Sequence, residues 1–277
     1  MAESKPILVP LDGSKTAENA LPAAAWLART TGAPLRFIHV LDPDTPNESR
    51  ATAAETFQRY ATDLGRAHGL GEVECDVLVG HASDQVLSAS VTASAIVLAS
   101  HGRGGFRATV LGSVADKIVR GSAIPVLVEP GTERPVAPGA PRPILVALDG
   151  SDEAERALAM ARTLAEKEAL KVILVRSFSM PPPVGIEFAA YPADLFNTLE
   201  KAAEEYLTQT AKPGEQKVLM QGDATASVLD AAEQFDAGLI VMTSTGKGLA
   251  KRIALGSTTT RVMHGTTRPV LVLPQGA

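Results

Sequence analysis

Short apolar runs alternate along this chain with longer stretches in which apolar residues return at helical spacing. The first half holds "ILVPL", "LRFIHVL", "VECDVLV", "AIVLAS" and "PVLVEP"; the second holds "ILVAL", "KVILVRS", "QKVLMQ", "LIVMTS" and "PVLVLP". Strands buried on both faces read as near-continuous Val, Ile and Leu, and amphipathic segments between them mark βα units on a parallel sheet. The pattern predicts an α/β fold: two open parallel sheets of five strands, with helices on both faces. Helix starts are marked by Ser14 and Ser151 before alanine-rich segments, and by Ser83 before "DQVLSAS".

The two halves are copies. "PILVPLDGS" at Pro6–Ser14 returns as "PILVALDGS" at Pro143–Ser151, and "IPVLVEP" at Ile124–Pro130 returns as "RPVLVLP" at Arg268–Pro274. Between them, "EPGTERPVAPGAPRP" carries too many prolines to continue a helix or a sheet and reads as an extended linker. The expected organisation is one domain over residues 1–130, a linker over 131–142 and a second domain over 143–277. The apolar closing runs would leave bare sheet edges, so the halves are expected to pair through them as an intrachain pseudo-dimer.

After the fourth strand of each half comes a glycine-rich loop: "IVLASHGRGGFRATVLGSVADKIV" at 96–119 and "IVMTSTGKGLAKRIALGSTTTRVM" at 240–263. Glycine permits positive φ and lets main-chain N–H groups approach an anion. A Gly-Ser pair opening a helix adds backbone donors, a hydroxyl and the positive end of the helix dipole. Arg103, Arg107, Lys247, Lys251 and Arg252 concentrate positive charge in the same loops, although the chain's net charge is -5. Together these features suit phosphate. Neither loop contains G-x-x-x-x-G-K-[ST], and neither completes G-x-G-x-x-G, where Arg107 or Lys251 holds the last position.

The acidic balance, with pI near 5.6, argues against a nucleic-acid surface. No apolar run reaches the roughly 18 residues of a membrane span, and "MAESKPILVPLDGS" lacks signal-peptide regions, so a cytoplasmic location is expected. Cys75 is the one cysteine, which excludes an internal disulfide and a cysteine metal cage; it is expected to be a small packed residue. The histidines at 39, 68, 81 and 264 lack metal-ligand spacing, and Trp26 follows an apolar helix face. Asp116 is read as a cap of its helix, with Thr260 as its counterpart, and "MPPPVGIEFAAYP" at Met180–Pro192 as a proline-rich connecting loop after the second strand, which by position could also cover the second site or reach a partner.

The chain resembles the universal stress protein family, tandem members in particular, whose nucleotide-binding branch carries G-x-x-G, nine residues, then G-[ST]. Here Ala99-Ser100-His101-Gly102 is followed nine residues on by Gly112-Ser113, and Thr243-Ser244-Thr245-Gly246 by Gly256-Ser257. The resemblance implies strand order 3-2-1-4-5, which sets the ends of strands 1 and 4 together at a switch point. It implies that Pro10, Leu11 and Asp12 meet the nucleoside and that Val40 packs on adenine. Ala99, Ser100, His101, Gly102, Arg103, Gly112, Ser113 and Val114 would surround ribose and phosphates.

The matching positions of the second half are Asp149, Ser177, Thr243, Gly246, Lys247, Gly256, Ser257 and Thr258. Two departures rank the first site above the second. The first motif glycine is Ala99 or Thr243, and β-branched threonine tolerates positive φ poorly; Val40 becomes Ser177. The implied ligand is ATP with Mg2+ held by its phosphates, ADP and AMP being the alternatives. The implied role is binding and stress signalling to a partner protein, not catalysis, with a homodimer left open. The competing readings are a slow ATPase and a nucleotide-free dimerisation module.

Overall fold

In the computed structural model each predicted apolar run is a strand; it describes residues 4–100, 111–130, 142–180, 192, 194–245 and 255–275. The first half contains β1 (Ile7–Pro10), β2 (Leu35–Leu41), β3 (Glu74–Val79), β4 (Ala95–Ala99) and β5 (Val126–Glu129). The second contains β6 (Ile144–Ala147), β7 (Val172–Phe178), β8 (Gln216–Gln221), β9 (Leu239–Thr243) and β10 (Val270–Leu273). The helices are α1 (Lys15–Glu18), α2 (Leu21–Thr31), α3 (Asn47–Ala67), α4 (Ala82–Ala89), α5 (Ser113–Gly121), α6 (Asp152–Glu168), α7 (Leu195–Thr210), α8 (Ala224–Gln234) and α9 (Ser257–Gly265).

Within each half all pairings are parallel and the order is as implied, β3-β2-β1-β4-β5 and β8-β7-β6-β9-β10. The expectation of two separate sheets is corrected by the joint between them. β5 and β10 pair antiparallel, Val126 opposite Val272 and Val128 opposite Val270, so the chain builds one ten-stranded sheet. Each strand supplies the main-chain partners that the other edge lacks.

Strand residues alternate between two cores. Val9, Phe37, Val97 and Leu127, with Val146, Leu174, Val241 and Leu271, face α2, α3, α6 and α7. Leu8, Ile38, Ile96 and Val128, with Leu145, Ile173, Ile240 and Val270, face α4, α5, α8 and α9. Trp26 is buried in the first core, as its helix face predicts. Across the joint, Thr30 donates to Glu168 Oε1 at 2.6 Å and Lys167 Nζ donates to the Thr30 carbonyl at 2.9 Å, tying α2 to α6.

Ser14 and Ser151 cap as expected, accepting from the N–H groups of Ala17 (3.1 Å) and Ala154 (3.2 Å). Ser83 does not cap: α4 begins at Ala82 behind His81, two residues earlier than a Ser83 cap would place it, and Ser83 is buried in the first turn. The helical segment after β1 is broken into α1 and α2, with a proline in the first turn of α2; Pro22 has no N–H to continue the ladder. Its counterpart α6 has no such proline and runs unbroken. Residues 131–141 of the linker and 181–191 of the proline-rich loop lie outside the described residues. Among the described residues no helix is long and apolar enough to cross a membrane.

Candidate functional site

The candidate sites form where β1 and β4, or β6 and β9, end side by side. Leu11 N–H still bonds to Ile38 O at 2.8 Å, and then the chain turns sharply. Asp12 Oδ1 accepts from Ser14 N–H at 2.9 Å, Gly13 takes φ 81° and Ser14 caps α1. The second half repeats this turn: Asp149 Oδ1 accepts from the N–H (3.0 Å) and hydroxyl (2.6 Å) of Ser151, and Gly150 has φ 77°. The recurring D-G-S therefore has a local cause, a turn that only glycine enters easily, besides any role toward a ligand.

At the end of β4, Ser100 N–H donates to Glu129 O and Ser100 O accepts from Gly112 N–H, both at 2.7 Å. These bonds return the chain to the sheet edge, and α5 starts there. Ser244 bonds in the same way to Leu273 O (2.7 Å) and Gly256 N–H (2.6 Å), placing the start of α9. Gly112 and Gly256 have φ of -63° and -61°, extended values open to any residue. The positive-φ argument for these two glycines is corrected accordingly. What glycine grants is closeness: a Cβ on Gly256 would stand 3.3 Å from Ser244 O. Neither helix has a side-chain cap, which leaves first-turn N–H groups as donors beside the cavities.

The first cavity is about 360 Å³. Its floor is apolar, built by Ile38, Val40, Val86, Leu98 and Ile118 with buried Leu11 and Ser100 beside them, and the more exposed lining residues Pro10, Asp12, Ala99, Gly112, Ser113 and Val114 stand around its mouth. Val114, 42% exposed, is with Val91 and Met180 one of the exposed large hydrophobic side chains among the described residues, and it lies at that mouth. The second cavity, about 280 Å³, brings together Asp149, Ser177, Thr243, Gly256, Ser257 and Thr258. His101, Gly102, Arg103, Gly246 and Lys247 lie outside the described residues.

Sequence reasoning missed Ile38, Leu98, Val86 and Ile118 in the first floor, and Arg176, Ser227 and Thr259 in the second wall. Ile38 could have been found, since it shares a strand face with Val40 two residues on. Strain at Thr243 is not the difference between the sites. Among the described residues, positive φ outside glycine is confined to Ala169 and Asp236. Thr243 stays in its strand, donating from Oγ1 to Thr245 O and accepting at its carbonyl from Thr259 Oγ1, both at 2.8 Å. The difference is polarity: Val40, Ala99, Val114 and Ala115 give way to Ser177, Thr243, Thr258 and Thr259.

Several other residues have structural roles. Asp116 does not cap α5 but pairs with Arg120 at 2.8 Å. His39 Nδ1 meets Leu11 O at 2.8 Å, and the ring stacks on Phe57. Burial, with Asp76 nearby, pushes the Cys75 thiol up, and its Sγ donates to Gln58 Oε1 at 2.9 Å. Glu129 is only 1% exposed, and burial pushes its carboxyl up to about 9. Among the described residues no group of three His, Cys, Asp or Glu could hold a metal ion.

The model of the universal stress protein family matches residues 3–130 and again 141–274. The chain belongs to the universal stress protein family. A universal stress protein of Mycobacterium tuberculosis is 27% identical over 97% of both chains. One from Thermus aquaticus is 34% identical over 134 residues, which is 47% of this chain and 96% of that one. The crystal structure of a universal stress protein from Archaeoglobus fulgidus superposes with a TM-score of 0.71 at 23% identity, covering 99% of this chain and 100% of that one. This universal stress protein therefore shares its whole tandem architecture with a solved fold.

Proposed function

We propose that this universal stress protein binds an adenine nucleotide in the first cavity, ATP with Mg2+ held by its phosphates, and works as a cytoplasmic binder that reports nucleotide state to a partner protein. One observation carries the reading: an apolar floor and an uncapped helix start open onto the same mouth. The floor of Ile38, Val40 and Leu98 suits a flat base, and 360 Å³ lies within the roughly 300–1,000 Å³ range of small-molecule sites. Asp12 would accept from a donor on the nucleoside. The first-turn N–H groups of α5, the Ser113 hydroxyl and the helix dipole would hold phosphate. A metal would be held by the phosphates, since no side-chain cage is found among the described residues.

A hydrolytic step is not assigned. Asp12 is the carboxylate lining this cavity among the described residues, and its Oδ1 already accepts from Ser14 N–H. The second cavity is smaller and more polar, so we rank it below the first for adenine. The test is to denature the purified protein and identify what it releases by chromatography. Release of an adenine nucleotide supports the reading and distinguishes ATP from ADP or AMP. No nucleotide released, and no heat on titration with ATP, would leave the nucleotide-free assembly module as the better account.

A further inference from the structure

The first cradle is not built by the first half alone. Leu111, buried and immediately before Gly112, donates its main-chain N–H to Nδ1 of His264 at 3.2 Å. His264 belongs to the last turn of α9, in the other half of the chain. The next residue, Gly112, is the one whose N–H returns the loop to Ser100 O. A side chain from the second half thus anchors the residue that precedes the start of α5.

The pseudo-twofold repeat shows that this anchor is specific to one side. Aligning α5 with α9 from Ser113 and Ser257 places Arg120 at the position of His264, and Leu111 corresponds to Leu255. Arginine has no acceptor, so Arg120 cannot receive a hydrogen bond from Leu255 N–H. It turns instead along its own helix to Asp116, at 2.8 Å. Thr260 replaces Asp116 in α9 and offers His264 no such ion pair. The cradle ranked first for the nucleotide is the one held across the joint.

We propose that His264 is a positioning residue for the first site. By accepting from Leu111 N–H it fixes Leu111-Gly112-Ser113 against the end of β4, so that the N–H groups of α5 are pre-aligned for phosphate. The second half thereby completes the first half's site. The ligand in this statement rests on the proposed function; the geometry does not.

The test compares the full-length protein with His264→Ala and His264→Asn, since Asn can present Oδ1 where Nδ1 stood. Amide hydrogen exchange at Leu111 and Gly112 reads the positioning without any ligand, and ATP titration reads its consequence. In His264→Ala both amides should exchange severalfold faster and ATP should bind about threefold to tenfold more weakly, the worth of one hydrogen bond. His264→Asn should restore both to within about twofold of wild type. Unchanged exchange in His264→Ala, or equal impairment in the Ala and Asn variants, would overturn the proposal. Should the wild type bind no ATP, the functional reading fails, and the exchange measurements still decide the role of His264.

Discussion

At the residue scale, the repeat itself identifies Glu129 as out of place. Ser100 N–H bonds to Glu129 O as Ser244 N–H bonds to Leu273 O, so the second half has leucine where the first has a buried carboxyl. With its folded value raised from the ordinary 4.5 to about 9, Glu129 stays protonated in the native state while the unfolded chain ionises. Below about pH 4.5 both states are neutral and ionisation adds no cost; from there to about pH 9 stability falls by about 1.4 kcal/mol per pH unit. Glu129→Leu should therefore stabilise the protein by on the order of 2–4 kcal/mol more at pH 8.5 than at pH 5.5, in urea titrations at each pH. A pH-independent difference would contradict this. The same scale shows how far single residues were readable. Asp12, Gly112 and Ser113, expected from spacing and resemblance, line the first cavity. The φ of Gly112 was not legible, because it belongs to the three-dimensional return of the chain to Ser100.

At the element scale, every strand was legible because apolar runs bounded by turn residues have few alternatives. Helix starts were legible where a serine side chain reaches back to the third residue on, as at Ser14 and Ser151. Ser83 was misread because a serine inside the first turn and one at the cap leave the same mark in sequence. Ser151 has a double task, capping α6 and donating to Asp149 Oδ1 at 2.6 Å. Ser151→Ala should therefore cost about 1–2 kcal/mol in chemical denaturation, above the typical cap loss of about 1. A loss under about 0.3 kcal/mol would mean the cap is not engaged in solution. The closing strands show what a bare edge predicts: β5 and β10 found each other. The outer strands β3 and β8 instead carry exposed Glu74, Asp76 and Lys217, charges that discourage further pairing.

At the scale of the whole molecule, two things were beyond periodicity. Hydrophobic pattern cannot place β4 beside β1, so the switch point came from family resemblance. Nor does it fix the antiparallel register in which the closing strands join the two five-stranded units into one sheet. That joint makes the halves one continuous sheet, and Leu271, 2% exposed and opposite Leu127 across it, is its natural probe. Leu271→Ala should cost about 2–5 kcal/mol. The loss should also appear in the fluorescence of Trp26, which lies in the other half, with the same midpoint shift as circular dichroism. A Trp26 transition left at the wild-type midpoint would show that the halves unfold independently. The central claim is that the Gly112-Ser113 cavity is the principal nucleotide site. Calorimetric titration of ATP into folded wild type, Gly112→Val and Gly256→Val tests it most directly. Losing one or two charge-assisted hydrogen bonds of about 1.5–3 kcal/mol each should weaken the Gly112→Val first site tenfold to beyond a thousandfold, with Gly256→Val retaining the tighter binding event. Undiminished affinity and stoichiometry in Gly112→Val would contradict the account.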